Sequence, residues 1–142
     1  MSSNIADLFK QGEPIEAHKL IRLTAPQIEE IGDLMQMHRP VSKGGFGSEG
    51  NLAKLARKPD APMARELAPF FLAMAELTLA KGWGKDGPGK KAVKVWKAAG
   101  QQLRVASGDL ATAGALADAK AIQAAAVRIQ AACTSCHSIF KY

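Results

Sequence analysis

The sequence predicts an all-α chain, folded as an antiparallel four-helix bundle. Three observations carry that prediction. Aromatic residues make up only 6% of the chain, too few for a β-sandwich, which draws on Val, Ile, Tyr and Phe. Alanine, the strongest helix former, fills 11 of the 22 positions from 111 to 132. Apolar residues recur in steps of three and four along most of the chain, the period of one helical face. With 142 residues and 47% hydrophobic content, a single domain over 1–142 accounts for the length, with 1–13 as a short N-terminal extension.

In chain order, Ile5, Leu8 and Phe9 can form an apolar turn. Gly12-Glu13-Pro14 reads as a turn feeding a helix, with Pro14 in its first turn. One face then runs through Ala17, Ile21, Thr24, Ile28, Ile31 and Met35, interrupted by Pro26. Thr24 followed by Gln27 has the capping-box pattern and would start a fresh helix there. The alternative is one long helix kinked at Pro26. Arg39-Pro40 closes the segment. The glycines of Val41 to Gly50 invite a phosphate-loop reading, but the Gly-Lys-Ser/Thr ending and a preceding strand are lacking. A flexible interhelix loop is expected instead, with a short helical turn over Leu52 to Lys58.

The next helix is expected from Pro62 to Lys81, with Leu67, Phe70, Met74 and Leu77 on one face and Phe71 beside them. Pro69 is a local fault, Gly82 a C-cap, and Trp83 to Gly89 a connection. A third helix covers Lys90 to Ala113, with Val93, Trp96, Gly100, Leu103, Ser107 and Leu110 as its stripe. Gly100 and Ser107 would let a neighbour approach closely. Asp118 caps a last helix over Ala119 to Phe140, whose stripe is Ile122, Ala126, Ile129, Cys133, Cys136 and Phe140.

The formal net charge is +6. Between Lys81 and Lys97 lie six lysines (81, 85, 90, 91, 94 and 97) against one acid, Asp86. This stretch reads as a solvated helix face or as a docking surface for an acidic partner. Nucleic acid is disfavoured, because arginine is sparse and no recognition motif accompanies the lysines. No apolar run reaches about 18 residues, so no membrane span is expected. Residues 1–11 hold no apolar core of a signal peptide, so either the chain is cytosolic or a leader has been removed.

Two cysteines are too few for a disulfide scaffold. They stand in Cys133-Thr134-Ser135-Cys136-His137, the C-x-x-C-H pattern of c-type haem attachment. The spacing has a physical reason. Two thiols can join the two vinyl groups on one edge of a porphyrin, and the adjoining imidazole can reach the iron from one face. On a helix, Cys133 and His137 are one turn apart and point the same way. A thioredoxin-like dithiol would need a strand before the motif. A zinc site would have to recruit two of His18, His38 and His137, and only half a zinc signature is present.

A helical chain with C-x-x-C-H near its C-terminus, followed by Phe140 and Lys141, resembles the class II c-type cytochromes, the cytochrome c′ family. The resemblance is strongest from Lys90 to Tyr142, includes Gly108-Asp109, and is weak over residues 1–60. It implies a four-helix bundle with one covalent haem c near the end of the last helix, export to the periplasm with the leader removed, and a homodimer in many members. It carries over Cys133 and Cys136 as thioether residues and His137 as the proximal iron ligand.

The residue opposite His137 decides the chemistry. If the first helix starts at Pro14, the level of the haem falls among residues 17–28, with Ile21, Thr24 or Ile28 over the iron. An apolar residue there leaves the iron open to NO or CO. Met35 and Met37 would then lie too far down, but if the helix restarts at Pro26, Met35 becomes a candidate ligand. His18 is at the right level for a second imidazole. The arginine usual near the haem in the family has Arg22 as its nearest counterpart. The expected function is single-electron transfer, with gas binding at an open iron as the alternative. A peroxidase is disfavoured because no distal acid–base pair falls on one face, so no enzyme activity is expected.

Overall fold

The structure is a computed structural model and describes residues 2–28, 35–81 and 90–138. Among these residues every regular element is helical. The α-helices are α1 (Ser2–Lys10), α2 (Pro14–Thr24), α3 (Ser48–Arg57), α4 (Ala61–Lys81), α5 (Lys90–Leu116) and α6 (Ala119–His137). Single 3-10 turns cover Ala25–Gln27, Gln36–His38 and Val41–Lys43. No helix of the described residues is long and apolar enough to cross a membrane.

Helices α4, α5 and α6 are the long ones, and they pack in sequence order. Pairing along α4 and α5 runs in opposite directions. Trp96 Nε1 donates to Thr78 O at 3.0 Å, Arg104 holds Glu76 through two hydrogen bonds of 2.5 and 2.8 Å, and Arg65 Nη1 donates to Gly114 O at 3.0 Å. Small residues set the close approach. A Cβ at Gly100 would lie 2.6 Å from Leu79 Cδ2, and one at Gly114 would lie 3.2 Å from Ala64 Cβ. Pro69 removes one backbone donor, yet α4 runs through it because Leu67, Ala68, Phe71, Met74 and Leu77 are buried on both sides of the fault. Helix α4 begins one residue before its expected start, where Asp60 Oδ1 accepts from Met63 N at 3.0 Å.

Helix α5 extends to Leu116, three residues past its expected end. The turn into α6 puts Ala117 at φ 52°, where Asp118 N bonds Ala113 O at 3.0 Å. Asp118 then caps α6 as expected, with Oδ1 accepting from Ala121 N at 3.1 Å. The Gly82 C-cap, the Trp83–Gly89 connection, Ile31 and Phe140 fall outside the described residues.

The N-terminal third departs most from expectation. Residues 2–10 form a full helix, with Ile5 completely buried and Lys10 paired to Glu66 of α4. No long helix runs on from Pro14 through Pro26. Helix α2 stops at Thr24, a 3-10 turn follows, and Ile28 is extended at ψ 110°. Thr24 makes no side-chain cap bond, so the capping-box pattern is not used. The stretch expected as a short turn is the ten-residue α3, which starts inside the glycine-rich segment and leans on α6, where Gln123 Nε2 donates to Ala56 O at 2.8 Å.

The core is divided in two. One apolar cluster gathers Ile5, Ala17, Ile21 and Ile28 around Met74, Leu77, Trp96 and Cys136. The other gathers Leu52, Leu55, Phe71, Leu110, Ile122 and Ile129. Close packing normally merges such clusters into one core. Here Phe70 packs against both, and a cavity is bordered by members of both.

Candidate functional site

The stripe of α6 carries the two cysteines to this cavity. Ile122, Ala126, Ile129 and Cys136 are buried, and Cys133 is half-buried. Both cysteines are free thiols. Burial pushes the Cys133 thiol up to about 11, and the neighbouring Cys136 and Glu49 push in the same direction. Burial also raises Cys136. Both are therefore protonated at neutral pH, unlike the activated thiolate of a disulfide oxidoreductase.

Cys133, Cys136 and His137 line one wall of the cavity, whose volume is about 760 Å³. That lies within the ~300–1,000 Å³ typical of cofactor pockets. Leu52, Phe71, Met74 and Leu103 give it apolar walls. The polar lining residues Gln36, Arg39, Glu49, Thr134 and His137 are exposed and so stand at its rim. Met35 and His38, from the segment after the first core cluster, complete the lining.

His38 is the most constrained of these side chains. Its ring stacks on Phe71 at 5.6 Å and 7°, and meets Phe70 edge-on at 5.4 Å. Its Nδ1 lies 2.7 Å from Ser48 Oγ, at the first residue of α3. Burial first, and the nearby His137 second, lower its pKa from 6.5 to about 4, so the ring is neutral at pH 7.

Thr78 also lines the cavity, and its Oγ1 is buried without a hydrogen-bond partner among the described residues. Such a group costs about 1–3 kcal/mol unless something satisfies it. Its carbonyl, by contrast, is taken by Trp96.

No family model, curated protein or solved structure matches this chain. The site is therefore read from its own residues. Among the described residues no group of three or more His, Cys, Asp and Glu converges to hold a metal ion directly.

Of the residues expected opposite His137, only Met35 borders the cavity. Ile28 is buried in the first core cluster and does not line it. His18 is exposed, with Nδ1 2.7 Å from Pro14 O and Nε2 3.7 Å from Glu76 Oε2, away from the cavity. Arg22 is exposed and outside the lining, whereas Arg39 stands on the rim. The expectation counted helical rise from Pro14, and α2 ends after eleven residues. The sequence offers His38 only as a possible zinc ligand and does not mark Thr78 at all. His38 sits on a lone 3-10 turn, where no periodicity marks it, and nothing in the sequence says that the Thr78 hydroxyl lacks a partner.

Proposed function

We propose that this chain is a monohaem c-type cytochrome that carries single electrons. The observation that supports it best is that Cys133, Cys136 and His137 together line a cofactor-sized cavity bordered by both core clusters. The residues present fit such a group. Apolar walls suit a large flat macrocycle, the exposed rim with Arg39 suits its carboxylates, and the orphaned Thr78 hydroxyl awaits a polar partner. Each cysteine sulfur would add across one vinyl double bond, with the thiol hydrogen going to the neighbouring carbon, so attachment consumes no oxidant. His137 would hold the iron from the α6 side. When bound, the haem supplies one-electron Fe(III)/Fe(II) exchange, while the protein excludes water and fixes the ligands.

The finer architecture in this reading is an antiparallel four-helix bundle of the cytochrome c′ kind. In it α4, α5 and α6 give three long sides and the N-terminal segments the fourth. The class fits a periplasmic protein. Lys94 and Lys97 are exposed on α5, the helix that gives Ala99 and Gly100 to the cavity, and would steer an acidic redox partner. Lys85 lies outside the described residues.

The test is production of the full chain with cytochrome c maturation machinery. A haem stain that survives a denaturing gel, and that is lost in Cys133→Ala/Cys136→Ala, supports the reading. A colourless protein refutes it. A reduced protein that binds CO without displacing a ligand would favour gas binding over electron transfer.

A further inference from the structure

We propose that His38 is the second axial ligand, facing His137 across the cavity, so that the iron is held by two imidazoles. This rests on the haem reading above and adds a ligand that the sequence pattern does not assign. Three independent features converge on His38. His38 borders the same cavity that His137 lines. Its Nδ1 is engaged by Ser48 Oγ, which leaves Nε2 as the ligating nitrogen. Histidines that bind metals commonly have their other nitrogen held in this way, fixing tautomer and ring orientation. Finally, the ring is clamped by Phe70 and Phe71, so little rotamer freedom remains to be lost on ligation.

The glycine-rich segment explains how His38 is presented. Phe46 N donates to Met37 O at 2.8 Å and Gly47 N donates to Arg39 O at 2.9 Å, so the loop grips the backbone on both sides of His38. Gly44 and Gly47 adopt φ of 84° and 72°. A Cβ on Gly45 would fall 2.0 Å from Arg39 O. These glycines are needed to bring the loop against residues 37–39. Ser48, which meets His38, follows this loop as the first residue of α3. Met35 also lines the cavity and packs against the first core cluster.

The test uses the full chain carrying covalent haem. Near-infrared magnetic circular dichroism and electron paramagnetic resonance of the ferric wild type should give bis-imidazole signatures, without the charge-transfer band of methionine sulfur. The ferrous wild type should be low-spin and should not take up CO at stoichiometric amounts. His38→Gly should become high-spin and bind one CO, and added imidazole should restore the low-spin spectrum. His18→Ala should leave it unchanged. A methionine band or a high-spin wild type would overturn the assignment, as would a low-spin His38→Gly protein without added imidazole. Because the wild-type spectra exclude methionine and an open iron, and His18→Ala excludes the other imidazole, a His38 variant that fails to fold leaves the proposal testable. Absence of covalent haem in the wild type would instead overturn the haem reading itself, and the denaturing gel separates that outcome from a wrong ligand.

Discussion

Thr78→Val gives the sharpest test of the cavity, because its effect should change with what the cavity holds. Thr78 is 5% exposed, and its hydroxyl is buried without a partner among the described residues. Valine keeps the shape and the β-branch and removes only the hydroxyl. An unsatisfied buried polar group costs about 1–3 kcal/mol, so in a haem-free chain, made as Cys133→Ala/Cys136→Ala, the change should stabilise by about 1–2 kcal/mol. At this chain length roughly 3 °C of Tm accompanies each kcal/mol, so the midpoint should rise by about 3–6 °C. Urea titration should give the same gain with an unchanged slope. In the haem-loaded protein the gain should shrink or reverse, because the hydroxyl then has something to bond. If the haem-free variant is no more stable than its parent, the hydroxyl is already satisfied and the reasoning is wrong.

Three further outcomes are expected. Gly45→Ala should destabilise by about 1–3 kcal/mol, since its Cβ meets the Arg39 backbone, and should broaden the haem spectrum as the hold on His38 loosens; unchanged urea curves and spectra would sink that account. Ile129→Ala, at a completely buried position on α6, should cost about 2–5 kcal/mol, and a loss below 1 kcal/mol by the same titration would mean the second core cluster is not as packed as described. In the haem-free chain the unfolded state takes up the His38 proton near pH 6.5 and the folded state only near pH 4, so stability should be full above about pH 6.5 and fall as the pH drops toward 4, by about 3 kcal/mol in all. Urea midpoints from pH 7.5 to 4.5 would show this, and His38→Gln should remove most of the slope; a slope that persists in the variant assigns the dependence to other groups.

Local pattern was a good guide where helices are long and packed along their whole length. The α4, α5 and α6 boundaries fall within about three residues of those read from periodicity. The Asp118 cap and the close approach at Gly100 were also legible, since each depends on one residue type in one place. The pattern misled over residues 14–58. Ala17, Ile21 and Ile28 are all buried, as a continuous helical face would require, but Ile28 is reached through a 3-10 turn and an extended residue. Burial alone therefore did not distinguish one long helix from two short turns meeting the same cluster. The glycines looked like slack and instead serve close backbone contact, which only the position of Arg39 reveals.

For the site, C-x-x-C-H and the helical stripe through it were properties of contiguous residues, so the sequence by itself determined which thiols and which imidazole stand together on α6. It also determined the all-helical class, through alanine content and spacing. What faces those residues is a matter between distant segments. The cavity, the division of the core, the unpartnered Thr78 hydroxyl and the arrival of His38 rather than His18 or Ile28 were decided only by the tertiary structure. The physical reason is that a helix fixes side-chain direction over a few residues, whereas an irregular segment can carry its next residue to any side of the core. The turn over Ala25–Gln27 and the extended Ile28 are where the helical count first breaks.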